Sequence, residues 1–430
     1  MKIYILWCGL VVGLCLLIPI SHSILAQELI LDSLIAEALR ANPDLKAAEL
    51  RYKAFETQVP QAGSWPNPMF QTTISNISTK SWALGKAPMS GYELMLSQTI
   101  PFPGKLGLQK DMTRNMAQKS KKEHESAINF VISKLKQNYY QLYSLEKSIE
   151  ITQENKILLE DFAKIAQTKY SVGEGLMQDV LKALVEVSKM IDELISMEEM
   201  RRTTQAQINI LLNRNPQDSL GKPQEITFQK VNYSEEELQN LAVENNPELK
   251  GMEFMVNASN AEYRMARREY WPDFTLSASY MRMKNDASMD PNAERDFVSA
   301  SAGIELPLHF WSKEKKKAQE KSYDLKSSQQ KYEGMKNDLR LDVSMLSYSL
   351  KKHEKEIELY QTSILPQARQ SLESAQTGYQ VGKIDFLMLL DNQMTLYNYR
   401  IAYHQAVSSY YQTLAQLEEM VGKPLFPKGE

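Results

Sequence analysis

The chain has 430 residues, 24% of them charged and 43% hydrophobic, and its mean hydropathy of -0.42 excludes a polytopic helical membrane protein. Its 50 basic and 53 acidic residues nearly cancel, so the broad basic surface that suits nucleic acid is missing. The 17 glycines and 17 prolines are too few for a fibrous or linker-dominated chain.

The first segment reads as an address. Lys2 supplies a positive start, and the run from Ile3 to Ile20 is almost wholly apolar. Pro19 breaks that run, and Ala26 then offers a small residue ahead of Gln27. This is the pattern of a secretory signal peptide over residues 1–26. An uncleaved anchor is the rival reading, since about 18 apolar residues just span a bilayer. The two cysteines, Cys8 and Cys15, both lie here, so the mature chain must be held by packing and not by disulfides. Cys15 follows Val12-Gly13-Leu14 and lacks the small residue expected just before a lipidated cysteine. No later stretch is apolar for as long, so a mature protein resident in a membrane would cross it as β-strands.

The remainder is written twice. Asn42-Pro43-Asp44-Leu45 returns as Asn246-Pro247-Glu248-Leu249, and Trp65-Pro66 as Trp271-Pro272. Ile100-Pro101-Phe102 returns as Leu306-Pro307-Leu308, and Tyr170-Ser171-Val172-Gly173 as Tyr379-Gln380-Val381-Gly382. The matches keep their order at a nearly constant offset, which predicts two repeats, 27–220 and 221–430. Each begins with a short helix (31–41 and 235–245). Asn42 and Asn246 then cap a second helix with proline at its first position, where the missing N–H costs nothing.

A hairpin follows in each repeat. The alternation predicts strands at about 69–78, 92–100, 273–282 and 297–306. From Phe297 to Leu306, Val298, Ala300, Ala302, Ile304 and Leu306 fall on one face, and Ser299, Ser301, Gly303 and Glu305 on the other. Roughly ten alternating residues suit a bilayer-spanning barrel strand, although a soluble sheet packed on one side alternates in the same way. Trp65, Trp82, Tyr92, Phe102, Trp271, Phe297, Phe310 and Trp311 cluster at the expected strand ends. They fit an interfacial girdle and tip the reading toward a membrane.

Long helices come next, expected over 105–171 and 176–212 in the first repeat and over 313–379 and 384–421 in the second. After Gly107 neither proline nor glycine occurs before Gly173; in the second repeat Gly334, Pro366 and Gly378 interrupt. Runs of this length imply coiled-coil or bundle packing. Four strands cannot close a transmembrane barrel, which needs at least about eight. An open sheet edge in lipid is prohibitive, so the strand count demands an oligomer. The fold class is therefore mainly α with a small β part.

The duplicated Asn-Pro-acidic-Leu starts, the duplicated Tyr-x-Val-Gly turns, and the stretch from Val381-Gly382 through Asp391 to Thr395-Leu396-Tyr397-Asn398 resemble the TolC-type outer-membrane efflux family. The resemblance implies a homotrimer with a twelve-stranded outer-membrane barrel and a twelve-helix periplasmic tunnel. It implies contact with outer-membrane lipid, a location in the outer membrane of a Gram-negative bacterium with a large periplasmic part, and passive conduction of substrates. It further implies docking of Val172, Gly173, Val381 and Gly382 onto a periplasmic adaptor (membrane fusion) protein served by an inner-membrane pump of the RND type. Asp179 and Asp391 match positions where the family lines its constricted end, and three copies of Asp391 would form a cation-selecting ring. Met388 stands where family channels often carry a second aspartate, so a tight double ring is not expected. The competing class is an exported soluble coiled-coil scaffold without a pore.

Catalytic chemistry is not written here. His124, His309, His353 and His404 are scattered, and no metal-ligand pair, phosphate-cradling glycine loop or nucleophile elbow occurs. No enzyme, cofactor or resident metal is expected. The 21 methionines and the segment Ile100-Pro-Phe-Pro-Gly-Lys105 resemble the heavy-metal branch of the family. Thioethers suit soft ions, yet methionine at helical spacing is commonly a core filler. Met281, Met283 and Met289 form the one local cluster near an expected outer loop.

Overall fold

The computed structural model describes residues 28–80, 82–87, 89–284 and 294–426; the expected signal peptide and Met289 lie outside them. The first repeat runs α1 (Leu31–Ala41), α2 (Pro43–Ala62), β1 (Met69–Ser75), β2 (Ser90–Ile100), α3 (Lys105–Ser171) and α4 (Met177–Leu211). The second runs α5 (Glu235–Asn245), α6 (Pro247–Arg268), β3 (Phe274–Lys284), β4 (Glu294–Ile304), α7 (Glu314–Leu359), a π-helical turn (Tyr360–Ile364), α8 (Leu365–Gln380) and α9 (Phe386–Val421). The plan repeats element by element, with one difference. The 67 residues of α3 form an unbroken rod of about 100 Å, whereas its counterpart is interrupted. Pro366 lacks an N–H and its ring crowds the carbonyl four residues earlier, and the preceding turn widens to absorb the misfit.

The four strands form one antiparallel sheet in the order β1-β2-β3-β4. The two hairpins join through β2 and β3, whose full lengths pair from Ser90↔Lys284 to Ile100↔Phe274. β1 and β4 are left as open edges. β1 ends at Ser75, earlier than the alternation suggested, because Asn76 turns into the left-handed region at φ 53°.

Beyond the sheet the helices lie as a slab in which α3 is central. It packs against α2 and α4 on one side and against α6 and α9 on the other, and α7 continues the slab beyond α6 and α9. Two of the four staves are spliced. The Asn42 side chain accepts the amides of Asp44 and Leu45 at 2.9 and 3.2 Å while its Nδ2 donates to the Leu211 carbonyl at 3.0 Å. Thus the end of α4 is stapled to the start of α2. Asn246 does the same for α9 and α6, accepting from Leu249 N at 2.9 Å and donating to Met420 O at 2.9 Å. The amide carries its acceptor and its donor on separate atoms, so one asparagine side chain caps one helix and reaches the other; an aspartate would keep the cap and have no donor for the carbonyl.

The segment between α4 and α5 wraps this splice level. The Tyr139 hydroxyl donates to Leu29 O and accepts from Gln224 N. Tyr411 and Tyr410 accept from Gln229 N and Val231 N, each at 3.0 Å. Phenols projecting from the long helices thereby satisfy the backbone of a connection that has no regular structure of its own. Two of the hydrophobic clusters, around Leu135, Leu142 and Ile208 and around Val343, Tyr410 and Leu417, fill this level. A further cluster fills the half remote from the sheet, where Ala163, Ala166, Ala183 and Ala375 let the helices approach closely around Phe162, Phe386 and Leu389.

Candidate functional site

Two regions bear on function: the faces of the sheet and the helical tips. The register sorts the sheet into rows. On one face lie Phe70, Leu96, Ala278 and Ala300, then Thr72, Leu94, Tyr280 and Val298, then Ile100, Phe274 and Ile304. On the other lie Ser97, Ser277 and Ser301, then Gln71, Met95, Ser279 and Ser299, then Thr99, Thr275 and Gly303. The Ser277 and Ser301 hydroxyls bond each other at 2.6 Å. The exposure runs against the habit of a water-soluble sheet. Leu94, Leu96, Leu276 and Val298 are open, Val298 by 82%, whereas Ser97 is buried and Ser277 and Ser279 half-buried. The polar face is therefore the more sheltered one in the two central strands.

Aromatic side chains sit at the sheet ends in an uneven way. Trp65, Trp271 and Trp311 flank the helix-side end and are 57–67% exposed; Trp82 lies in the β1–β2 connection and is also exposed. Tyr92 shares the apolar face. Phe297 departs from the expected girdle: opposite Met281 and two residues before Ser299, it falls on the hydroxyl-bearing face, because a strand alternates strictly from residue to residue. Phe102 stacks on Trp271 at 5.2 Å between ring centres and is part of the sheet–helix junction. There the Phe102 amide and the Lys105 ammonium both donate to Asp273 Oδ1 at 2.7 Å. Gly104 turns at φ +88° against Arg268, which a Cβ would meet at 2.3 Å. This gives the Pro-Phe-Pro-Gly-Lys segment a structural duty of its own.

At the opposite end the two Val-Gly turns come together. Lys169, near the end of α3, sets its ammonium 4.1 Å from the Tyr379 ring at the end of α8, and Phe386 packs edge-on to both Phe162 and Tyr379. Both turns use the same closure. Gly173 (φ +80°) and Gly382 (φ +70°) adopt a left-handed conformation, and Glu174 N and Lys383 N reach back to the carbonyls of Lys169 and Gly378 at 2.9 and 2.8 Å. That is the helix-ending motif in which glycine avoids a Cβ penalty. Val172 and Val381 are left 66% and 62% exposed, and nothing stands within 4 Å of where a Cβ on either glycine would be.

The acidic residues do not gather into one site. Asp179 is half-buried in the first turn of α4; burial, and then the Asp179 charge, raise the Tyr379 phenol above its ordinary range. Asp391 and Met388 are exposed on α9, one turn apart. The sequence reading missed Asp385, which caps α9 by accepting the Met388 amide at 2.8 Å. Its position before an apolar run was the available signal. Of the histidines, His404 is a packing residue. Its Nδ1 lies 3.3 Å from the Tyr143 hydroxyl, and its rings pack on Tyr143 and Tyr403. Burial, reinforced by Lys147, lowers its pKa. Among the described residues no cluster of histidine, cysteine and carboxylates could hold a metal ion, and no helix is long and apolar enough to cross a membrane.

The comparisons agree with this geometry. The family model for the outer membrane efflux protein matches residues 34–214 and 238–423. The cobalt-zinc-cadmium resistance protein CzcC of Cupriavidus metallidurans is 21% identical over 414 residues, 95% of this chain and 93% of that protein. Toxin and drug export protein A of Aggregatibacter actinomycetemcomitans is 22% identical over 70% of this chain and 66% of its own. Among solved structures, CusC superposes with a TM-score of 0.80 at 16% identity, covering 91% of this chain and 92% of that one. VceC of Vibrio cholerae gives 0.77 at 19% identity, covering 92% and 97%. With the model matched across both repeats, the chain belongs to the outer membrane efflux protein family.

Proposed function

We propose that this outer-membrane efflux channel works as one third of a trimeric exit duct, taking substrates from an inner-membrane pump through a periplasmic adaptor. The inverted sheet carries the reading. A face of Phe70, Leu96, Leu276 and Val298 turned outward, with serines and threonines on the sheltered side, suits lipid outside and water inside. It argues against a soluble scaffold. Eleven-residue strands extend about 37 Å, and at a tilt of about 40° they rise about 28 Å, enough to cross an apolar band of about 25 Å.

The open edges support closure into a ring. β1, α2 and α4 form one flank and β4 and α7 the other. α4 presents Leu181, Leu184, Ile191 and Ile195, and α7 presents Leu341, Met345, Tyr348 and Leu359, all 43–61% exposed and each set on one helical face. Two unlike flanks that fit each other make a heterologous contact, which ends only by closing. Three copies would supply twelve strands. Trp65, Trp271 and Trp311 would then mark one membrane interface and Trp82 and Tyr92 the other. The exposed Val172 and Val381 turns would meet the adaptor, and Asp391, with Asp179 near the tip, would line the narrow end. The Cupriavidus relative is named for cobalt, zinc and cadmium resistance, so metal cations are the first substrate class to test.

Purified protein should run as a detergent-dependent, heat-labile oligomer on an unboiled gel and conduct ions in a planar bilayer. Asp391→Ala should keep the conductance and lose part of the cation selectivity and divalent block. A soluble monomer without conductance would sink the duct, and unchanged selectivity would remove Asp391 from the aperture.

A further inference from the structure

The end of α6 and the start of α7 meet beside the sheet, and the seam between them has two unlike sides. On one side Lys317 pairs with Glu269 at 2.7 Å and Lys321 with Glu262 at 3.4 Å, so charge there is balanced. On the other side Tyr263, Arg267, Tyr270, Gln319 and Lys326 line a groove of about 330 Å³, and no carboxylate lines it. Its two cations lean toward each other. The Arg267 guanidinium lies 6.0 Å from the centre of the Tyr263 ring, and the Lys326 ammonium 5.8 Å from that of Tyr323. Helical side chains tilt toward their own N-terminus; α6 runs toward the sheet and α7 away from it, so the two tilts converge. Handedness places this groove on the apolar side of the sheet. Seen from that side, with β3 rising away from the helices, an L-residue facing the viewer turns its amide and carbonyl to the right. Asp273 O accepts from Glu305 N at 3.1 Å, so the odd residues of β3, which face away, turn theirs to β4, and β4 stands on the left. α7, continuing β4, therefore lies to the left of the rising α6, against which it packs. Glu262 and Glu269 reach α7, and each next residue of the right-handed helix turns by about 100°, here from the rear toward the viewer. Tyr263 and Tyr270 thus face outward, on the same side as Leu276 and Val298.

From this arrangement we infer that the groove between α6 and α7 binds the phosphate of an anionic phospholipid in the periplasmic leaflet. Under the duct reading, on which this inference rests, Trp271 marks the membrane interface on the helix side. Arg267 precedes it by four residues, about 6 Å along the helix. Headgroup layers add about 5–7 Å to each side of the hydrocarbon, so Arg267 stands at headgroup depth. Lys326 starts lower and carries its charge up along a long apolar stem. A guanidinium matches two phosphate oxygens at once, the ammonium adds a point charge, and the Tyr263 and Tyr270 hydroxyls supply further donors. Two cations with no acid among them select a headgroup of net negative charge, because the ammonium of a zwitterionic headgroup has no carboxylate there to meet.

The test titrates brominated phosphatidylglycerol into the detergent-purified oligomer and follows quenching of tryptophan fluorescence, since the exposed Trp271 directly follows Tyr270 of the groove. Brominated phosphatidylcholine is the zwitterionic control and should quench only at higher concentration. Each cation at an anionic lipid surface contributes a factor of about five, so Arg267→Gln combined with Lys326→Gln should raise the phosphatidylglycerol midpoint roughly 25-fold and leave that of phosphatidylcholine in place. Lys317→Gln combined with Lys321→Gln removes the same charge from the other side of the seam and should leave both midpoints in place. Inorganic phosphate should not displace the lipid. Equal midpoints for the two lipids, an unmoved midpoint in the Arg267 and Lys326 variant, or an equal shift in the Lys317 and Lys321 variant overturns the site. Displacement by inorganic phosphate overturns the lipid as its occupant. Conductance and unboiled-gel migration of the same preparations separate the two readings: channels that conduct while giving any of these results overturn the lipid site alone. A preparation that neither assembles nor conducts overturns the duct and the lipid site together.

Discussion

Asn42 is 5% exposed and serves two helices with one side chain. Asn42→Ala removes an N-cap, costing about 1 kcal/mol, and leaves the Leu211 carbonyl without its donor, a loss of similar size. A destabilisation of about 2 kcal/mol should appear as a lower melting temperature by circular dichroism in detergent. Asn42→Asp keeps the cap and loses only the donation to Leu211, so it should fall between alanine and wild type. An aspartate variant as stable as wild type would show that the splice bond contributes nothing. His404 makes a separate prediction. Its pKa is depressed in the folded protein, so the unfolded chain binds the extra proton first and acid favours unfolding. The associated stability is complete above the unfolded value, near 6.5, and is lost as pH falls below it. Melting temperature should therefore drop between pH 7.5 and 5.5, and His404→Gln should flatten that slope; an unchanged slope would place the titrating group elsewhere.

At the scale of elements, the Val-Gly turns separate folding from docking. Val381 is exposed and belongs to none of the buried clusters, so Val381→Asp should change stability by no more than about 0.5 kcal/mol, the usual range for a surface change. Export in cells should fall if this turn meets the adaptor, and full export with normal protein levels would exclude it. These turns were legible because glycine at a helix end has one conformational reason to be there, and because the motif occurs twice. The strands were legible for a similar reason: alternation from Phe297 to Leu306 shows which residues share a face. It does not show which strand lies beside them, and only the pairing of β2 with β3 joins the two hairpins into one sheet. Phe297 was assigned by its nearness to a strand end when its parity with Ser299 already placed it on the other face. The π-helical turn was half-visible, since Pro366 announces a disturbance without saying whether the helix kinks, breaks or widens. The donation from Asn42 to Leu211 joins residues 169 positions apart and has no local signature.

For the whole molecule, the two faces of one sheet make opposite demands. Ala300 and Ser301 are neighbours near the middle of β4, and under the duct reading only Ala300 meets lipid. Ala300→Lys should cost about 2–4 kcal/mol per chain at the bilayer midplane and deplete the assembled oligomer from the outer-membrane fraction. Ser301→Lys should assemble nearly normally. Equal recovery of the two variants would mean that neither face touches hydrocarbon. The spliced staves carry a further consequence, for how such a chain can change length. In the unbroken α3, one inserted residue would turn everything beyond it by about 100°, swapping wet wall for packed wall along the rest of the rod. At the splice between α4 and α2 the helical phase starts afresh, because Asn42 joins the two helices there and not a continuous backbone. Insertions and deletions between relatives should therefore collect in the connection from Leu212 to Ser234 and around the splice, as mortar collects between courses of brick, while α3 keeps its residue count.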